Sequence, residues 1–270
     1  MPVNIPAILV PFQLIWNPRL ILPHVVQDIR QLDFLALRKA GYRGAVFDKD
    51  NCLTIPYEDR LVPELQVCSA KYCHTSTYVD ASFQSAWREC RDAFGDGNVL
   101  IVSNSAGTKH DPGEVQAESV SYHLSVPVLR HNSPKPAYSC IYSIRAYFAS
   151  LRDPIKDDEL VVVGDRIFTD VVMANRMRRR FWPVTAGVEE KVPTQPRETL
   201  AVWTDGVWRK ENMAMRWMEK RLVDMVMRWT DESDRWSLSQ EAFIKPAPPP
   251  PSTESVSPLS RLWTSLWRRK

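Results

Sequence analysis

Four largely apolar runs, each leading into polar residues, organise the middle of the chain. They lie at residues 45–47, 99–103, 126–130 and 160–163. The last run is rich in valine and does not alternate with polar residues, which is typical of a strand buried on both faces. Before, between and after these runs, apolar residues recur at helical spacing, at about residues 25–39, 63–72, 81–94, 113–124, 136–151 and 169–178. This order predicts an α/β fold with a doubly wound parallel sheet.

The part of the chain after residue 178 leaves two positions open for a fifth strand, residues 181–184 and residues 200–203. A strongly amphipathic helix is predicted at residues 211–229. Its polar side would carry Arg216, Lys220, Asp224 and Arg228. Its apolar side would carry Ala214, Met218, Leu222, Val226 and Trp229, and we expect that side to pack on the core.

Two aspartates follow the first apolar run directly. Because side chains alternate along an extended chain, Asp48 and Asp50 would point the same way. Two carboxylates held this close repel each other unless a cation lies between them or one keeps its proton. Such a pair adds little to a structural protein, but it suits an enzyme that needs a nucleophile, a proton donor and a magnesium site.

Polar residues that suit the same chemistry follow the later runs. Ser103 ends the second run and Asn104 follows it, Lys135 lies at a predicted helix start, and Asp165 and Asp170 follow the last run. The four segments, in this order, resemble the four motifs of the haloacid dehalogenase (HAD) superfamily of phosphohydrolases. The resemblance covers about residues 45–176, and it favours residues 200–203 as the fifth strand.

The resemblance implies a role for each of these side chains, and each role suits the residue's chemistry. Asp48 would attack phosphorus and form an aspartyl-phosphate. Asp50 would protonate the leaving alkoxide and then deprotonate the hydrolytic water. Ser103, Asn104 and Lys135 would hold the oxygens of the transferring phosphoryl group.

The same resemblance implies Mg²⁺ as the cofactor. Asp165 would complete an oxygen-rich site with Asp48 and the Asp50 carbonyl. Asp170 would either join that site or orient Lys135 or the metal-bound waters. Arg130 lies at the carboxyl end of the third run and would contact a second phosphate or a glycerol group, because guanidinium groups bind phosphate well. Its alternative role is that of an ordinary surface arginine.

One departure narrows the resemblance. Cys52 occupies a position where the superfamily usually has threonine or valine. Together with residues 102–107 and 127–131, the sequence Asp-Lys-Asp-Asn-Cys resembles the mitochondrial phosphatidylglycerophosphate phosphatases of fungi. That resemblance implies phosphatidylglycerophosphate as substrate, phosphatidylglycerol (a cardiolipin precursor) as product, and a peripheral location on the matrix side of the mitochondrial inner membrane. Alternative functions are phosphatase action on a phosphoprotein or a soluble monoester, or a non-catalytic membrane scaffold.

The spacing of the first two motifs predicts little or no cap domain. Only about fifty residues separate the first two strands, and two predicted helices take up most of them. In related phosphatases an open site accompanies large substrates such as lipids, which is an argument from association.

Four segments are predicted along the chain. Residues 1–23 are apolar but broken by prolines, so a membrane-spanning helix is not expected; they would lie on a bilayer or pack on the catalytic domain. Residues 24–230 form the HAD-like catalytic domain. Residues 231–258 are a proline-rich linker, and residues 259–270 a basic amphipathic helix that suits a bilayer surface.

Composition adds two constraints. The five cysteines are odd in number and contain no Cys-x-x-Cys pair, which favours free thiols in a reducing compartment. The net charge of +3 is mild. The resemblance implies the phospholipid substrate and a membrane surface as partners, and no nucleic acid is expected.

Overall fold

A single parallel sheet of five strands forms the centre of the molecule. The computed structural model describes residues 4–66, 86–178, 198–206, 208–210, 213–229 and 243–245. Within these ranges the strand order is β1-β5-β4-β2-β3, and each neighbouring pair is parallel. The strands are β1 (His24–Val26), β2 (Gly44–Phe47), β3 (Val99–Ile101), β4 (Leu160–Gly164) and β5 (Leu200–Thr204). This architecture confirms the predicted α/β, HAD-like parallel sheet and the second position for the fifth strand.

Helices cover both faces of the sheet. They are α1 (Ile5–Ile8), α2 (Val10–Leu14), α3 (Phe34–Lys39), α4 (Pro63–Gln66), α5 (Ala86–Phe94), α6 (Val115–Leu124), α7 (Tyr138–Ala149), α8 (Val172–Arg178) and α9 (Met213–Trp229). Short 3₁₀ turns occur at Pro18–Ile21, Ile29–Gln31, Pro112–Glu114 and Asp157–Glu159, and a π-helical turn, Ile167–Val171, precedes α8.

The sheet separates two apolar cores, because successive side chains of each strand point to opposite faces. In β4, for example, Val162 packs with α2, α7, α8 and α9, whereas Val161 and Val163 pack with α3, α5 and α6. Burial on both faces explains the uninterrupted valines of this strand. The sheet is therefore supported by helices on both faces.

Two sequence predictions about secondary structure are wrong. The helix predicted at residues 25–39 is instead β1, a 3₁₀ turn and α3, because Asp28 and Asp33 each accept a backbone N–H and cap separate short helical segments. The strand predicted at residues 126–130 contributes a single bridge, between Ile101 and Val128. Its remaining residues form no ladder within the described part of the chain.

Helix α9 forms as predicted, but the side that it buries differs. Arg216, Glu219, Val223 and Val226 are its buried residues, while Met218 and Trp229 are exposed. Two charged residues thus belong to the buried side, where they find partners beside the sheet.

Residues 5–22 pack on one face of the sheet through one side only. Val10, Leu14 and Leu20 are buried in the core on the α7 and α8 face. Among the described residues, none of the helices combines the length and the apolar character needed to cross a bilayer.

Several predictions fall outside the described residues: the segment 67–85 that bears on the cap, residues 181–184, most of the linker, and the helix at 259–270.

Candidate active site

The carboxyl ends of β2, β3 and β4 bring the predicted site residues to one edge of the sheet. The Asp48 N–H donates to the Val163 carbonyl at 2.9 Å, and the Val102 N–H donates to the Phe47 carbonyl at 2.9 Å. These two bonds continue the ladders just past the last strand residues. Asp48, Ser103 and Asp165 therefore stand at the ends of three adjacent strands, the usual place for a ligand site in such sheets.

A buried lysine bridges two of the carboxylates. Lys135 Nζ donates to Asp48 Oδ1 at 2.5 Å and to Asp170 Oδ1 at 2.7 Å, and its side chain is 2% exposed. Burial by itself would lower the pKa of Lys135, but the carboxylates of Asp170 and Asp48 outweigh it and raise that pKa. Lys135 is thus held as a cation at the place where a phosphoryl group would meet Asp48.

The fourth motif brings two further carboxylates into the same space. Asp165 follows β4, and Asp170 lies in the π-helical turn, where its Oδ2 accepts the Arg166 N–H at 3.2 Å. Gly164 makes this packing possible: a β-carbon there would lie 2.4 Å from Cγ of Asp170. Any side chain at position 164 would collide with the carboxylate that holds Lys135.

Asp48, Asp165 and Asp170 together have the composition of a site for a hard cation. Each offers one oxygen, and these oxygens all lie within 4.8 Å of one another. Burial raises the pKa of Asp48 and, with the nearby Asp48 charge, that of Asp165, whereas Lys135 and Arg216 oppose these rises. The three side chains offer only oxygen ligands, which Mg²⁺ prefers. A bound cation would also offset the repulsion between the buried carboxylates.

Asp50 lies beside this cluster and has its own partners. Its carboxylate accepts the Ser105 hydroxyl at 3.0 Å and the Tyr57 N–H at 3.3 Å, and it pairs with the buried Lys49 ammonium at 2.7 Å. Its side chain is 32% exposed, more than that of Asp48. Asp50 is therefore oriented by these contacts yet accessible to solvent, as the predicted role in proton transfer would require.

The second-motif residues support the lysine segment. Asn104 Oδ1 accepts the Lys135 N–H at 2.7 Å. The Ser103 hydroxyl lies 2.9 Å from that of Ser105, and a ring nitrogen of His131 lies 2.8 Å from the Ser103 carbonyl oxygen. Asn104 thus holds the Lys135 backbone, while Ser103 contacts Ser105 and His131. The contact of Ser103, Asn104 and Lys135 with a phosphoryl group stays a prediction.

Arg130 is exposed, and its ion-pair partner is none of these residues. Its side chain is 62% exposed, and its guanidinium pairs with Glu114 at 2.8 Å. This placement matches the surface-arginine alternative, and a contact with a second phosphate stays a prediction.

Sequence reasoning missed several residues of the site. Lys49 and Ser105 adjoin motif residues, so their proximity was predictable although their contacts with Asp50 were not. Arg216 and Trp203 contact Asp165 from α9 and β5. Their distance along the chain from the fourth motif left no local signal.

The N-terminal helices border the segment that carries Lys135. Asn4 Nδ2 donates to the Lys135 carbonyl at 2.7 Å. Arg176 joins α2 to the next residue of that segment, because it donates to the Pro136 carbonyl at 2.5 Å and to Gln13 Oε1 at 2.7 Å. The side of α1 and α2 that faces solvent is apolar: Ile5, Ile8, Leu9 and Phe12, followed by Ile15 and Trp16, are all exposed. We call these six residues the N-terminal apolar surface.

Comparison with known proteins extends over most of the chain. A family model described as mitochondrial PGP phosphatase matches residues 5–189. The mitochondrial phosphatidylglycerophosphatase GEP4 of Saccharomyces cerevisiae is 32% identical over 64% of this chain and 83% of its own length. A probable mitochondrial phosphatidylglycerophosphatase of Schizosaccharomyces pombe is 29% identical over 82% of this chain and 94% of its own length.

Plant-type relatives are longer. The chloroplastic phosphatidylglycerophosphate phosphatase 1 of Chlamydomonas reinhardtii is 36% identical over 59% of this chain, and the matched part spans 51% of the algal protein. The chain thus spans about half of that relative's length. No solved structure matches the chain.

Proposed function

Because the chain belongs to the mitochondrial PGP phosphatase family, we propose that it removes the terminal phosphate of phosphatidylglycerophosphate and yields phosphatidylglycerol. The observation that carries the chemistry is the buried Lys135 ammonium, which contacts both Asp48 and Asp170. A lysine held between carboxylates supports a phosphoryl site, because its charge can stabilise the phosphoryl oxygens without being lost. The family membership supports the lipid substrate.

In the proposed reaction, Asp48 attacks phosphorus and the bond from phosphorus to the lipid oxygen breaks. Asp50, oriented by Ser105 and Lys49, gives its proton to the leaving alkoxide. Asp50 then takes a proton from water, which attacks the aspartyl-phosphate and releases inorganic phosphate. The Lys135 ammonium and the Ser103 and Asn104 groups hold the phosphoryl oxygens in both steps.

Asp48, Asp165 and Asp170 would hold Mg²⁺, with the Asp50 carbonyl as a further ligand. The bound cation supplies charge neutralisation at the phosphoryl oxygens. The protein's own contribution is to keep three carboxylates buried and close together, so that the site is assembled before the substrate arrives.

We further propose that the protein acts as a peripheral protein on the matrix side of the mitochondrial inner membrane. Two yeast relatives are named mitochondrial, which supports the organelle. The N-terminal apolar surface supports attachment to a bilayer. No charged side chain occurs in the sequence before Arg19, and Trp16 is 81% exposed. Apolar and tryptophan side chains of this kind favour the boundary between headgroups and acyl chains.

The first test is phosphate release from phosphatidylglycerophosphate in liposomes. We expect release that requires Mg²⁺, stops when a chelator is added, and returns when Mg²⁺ is restored in excess. A soluble aryl phosphate, assayed in parallel, separates the chemistry from the lipid preference. Turnover of the aryl phosphate without release from liposomes would favour a soluble monoester or a phosphoprotein, and a lack of both would favour a non-catalytic scaffold.

Charge placed on the N-terminal apolar surface should weaken turnover of the lipid selectively. The double variant Ile8→Glu with Phe12→Glu should reduce phosphate release from liposomes by about tenfold or more, because each large apolar side chain contributes roughly 1.5–3 kcal/mol when buried. Hydrolysis of the soluble aryl phosphate should not change. Both positions are exposed, so the fold should tolerate the substitutions, whereas deletion of residues 1–23 would also remove core residues.

The matched control is Leu35→Glu, which also places a carboxylate at an exposed leucine. Leu35 is 57% exposed and lies on α3, a helix of the opposite sheet face. This variant should keep wild-type release from liposomes. Equal activity of the double variant and wild type on liposomes would refute the attachment surface.

A further inference from the structure

The segment that follows β4 is held by a helix that lies beyond all four motifs. Residues 165–170 supply two of the three clustered carboxylates. Helix α9 packs on the same face of the sheet as this segment, through Val223 and Val226. The family model ends at residue 189, so α9 lies outside the matched range although Asp165 lies within it.

Arg216 of α9 contacts Asp165 at two atoms. One terminal nitrogen donates to the Asp165 carbonyl at 3.2 Å, and the other pairs with Oδ2 of the Asp165 carboxylate. Trp203 donates its indole N–H to the same carbonyl at 3.0 Å. With Oδ2 engaged by the guanidinium, Oδ1 is the oxygen left available to a cation.

Glu219, one turn further along α9, holds the other end of the same short segment. Its Oε1 accepts the Phe168 N–H at 3.3 Å, and its side chain is buried. Arg216 Nε and Glu219 Oε2 find no hydrogen-bond partner among the described residues. Burial of two incompletely paired charged groups is costly. A role in packing alone would be served better by apolar side chains of similar volume.

We propose that Arg216 is a positioning residue that fixes the Asp165 carboxylate for cation binding. Its planar guanidinium can contact a carboxylate and a carbonyl together, which a single ammonium does less well. Contacts to a metal-ligating carboxylate from outside the ligand set typically change metal affinity by about 10- to 100-fold. This inference deepens the proposed function and rests on it for its catalytic meaning, but it concerns cation affinity and is measured without substrate.

The experiment is a terbium titration of the full chain. Tb³⁺ prefers oxygen ligands, and Trp203 lies close enough to Asp165 to sensitise its luminescence. In wild type we expect saturable luminescence that Mg²⁺ displaces and that Asp165→Asn abolishes. In Arg216→Gln the dissociation constant should rise by about 10- to 100-fold. Arg216→Lys keeps the positive charge but loses the planar guanidinium, so its dissociation constant for terbium should rise by a smaller factor.

The control is Arg221→Gln on the same helix. Arg221 is exposed and stacks on Trp217 at 5.3 Å, so its loss should leave terbium affinity unchanged. Circular dichroism of each variant should be recorded to test whether it is folded. A role in folding alone would lower the melting temperature of Arg216→Gln and leave the affinity of the folded protein unaltered.

The inference is overturned if Arg216→Gln binds terbium as wild type does, or if wild type shows no site that depends on Asp165. Should Arg216→Gln fail to fold, wild-type affinity in Arg216→Lys overturns it instead. If Arg216→Gln binds terbium more weakly but wild type releases no phosphate from liposomes, the positioning role stands and the proposed function falls. If wild type releases phosphate from liposomes and Arg216→Gln binds terbium as wild type does, the proposed function stands and the positioning role falls.

Discussion

Replacing Asp48 by asparagine should abolish phosphate release from both the liposomal and the soluble substrate. We expect a fall of at least about 10³-fold, because an amide oxygen is a poor nucleophile and no covalent intermediate can form. The measurement is inorganic phosphate released over time at saturating Mg²⁺. Since Asp48 is one of two carboxylates that pair with Lys135, thermal unfolding should be recorded as well.

The matched substitution is Asp33→Asn, which also turns a carboxylate into an amide. Asp33 caps α3 by accepting the Ala36 N–H at 2.8 Å, and asparagine caps helices about equally well. This variant should keep its activity. Turnover in Asp48→Asn within tenfold of wild type would remove Asp48 from the role of nucleophile.

Replacing Lys135 by methionine should cause the second large loss, and it should affect both turnover and stability. Removing one donor to the phosphoryl oxygens costs about 10²–10³ in kcat. Removing one partner from a buried charge network typically costs roughly 3–5 kcal/mol of the free energy of unfolding, because Asp48 and Asp170 would lose their shared cation. Steady-state kinetics and urea unfolding measure the two effects separately.

Lys245→Met is the control for breaking a lysine–carboxylate pair. Lys245 pairs with Glu89 at 2.6 Å and is 35% exposed, so its loss should change the free energy of unfolding by about 0–1 kcal/mol and leave turnover intact. A Lys135→Met protein that keeps wild-type kcat would show that the ammonium does not act on the phosphoryl group, whatever its stability.

The position of the candidate active site was predictable because its residues adjoin their strands in the sequence. Asp48, Ser103 and Asp165 each follow an apolar run, and parallel strands bring their carboxyl ends together. The proximity of Lys135 and Asp170 was suggested by the resemblance. What the sequence did not show is that Lys135 contacts both carboxylates, or that Lys49 and Ser105 contact Asp50.

The failures have a common physical cause, which is that local pattern does not reveal tertiary partners. Periodicity assigned Arg216 to the solvent side of α9, yet Asp165 provides a partner that offsets its burial. Likewise β1 has only three residues, and its pairing with β5 outweighs the helical spacing of the residues around it. The third apolar run satisfies the same pattern as the other strands but forms one bridge only.

The site depends on the absence of a side chain at Gly164, in addition to the functional groups that it contains. A methyl group at this position would occupy the space of the Asp170 carboxylate, although every nucleophile, acid and cation would still be encoded. In the interpretation of natural variants, a change from glycine to alanine here belongs with the loss of a catalytic group rather than with the conservative substitutions. Tolerance at this position is a matter of shape, and chemical similarity is a poor guide to it.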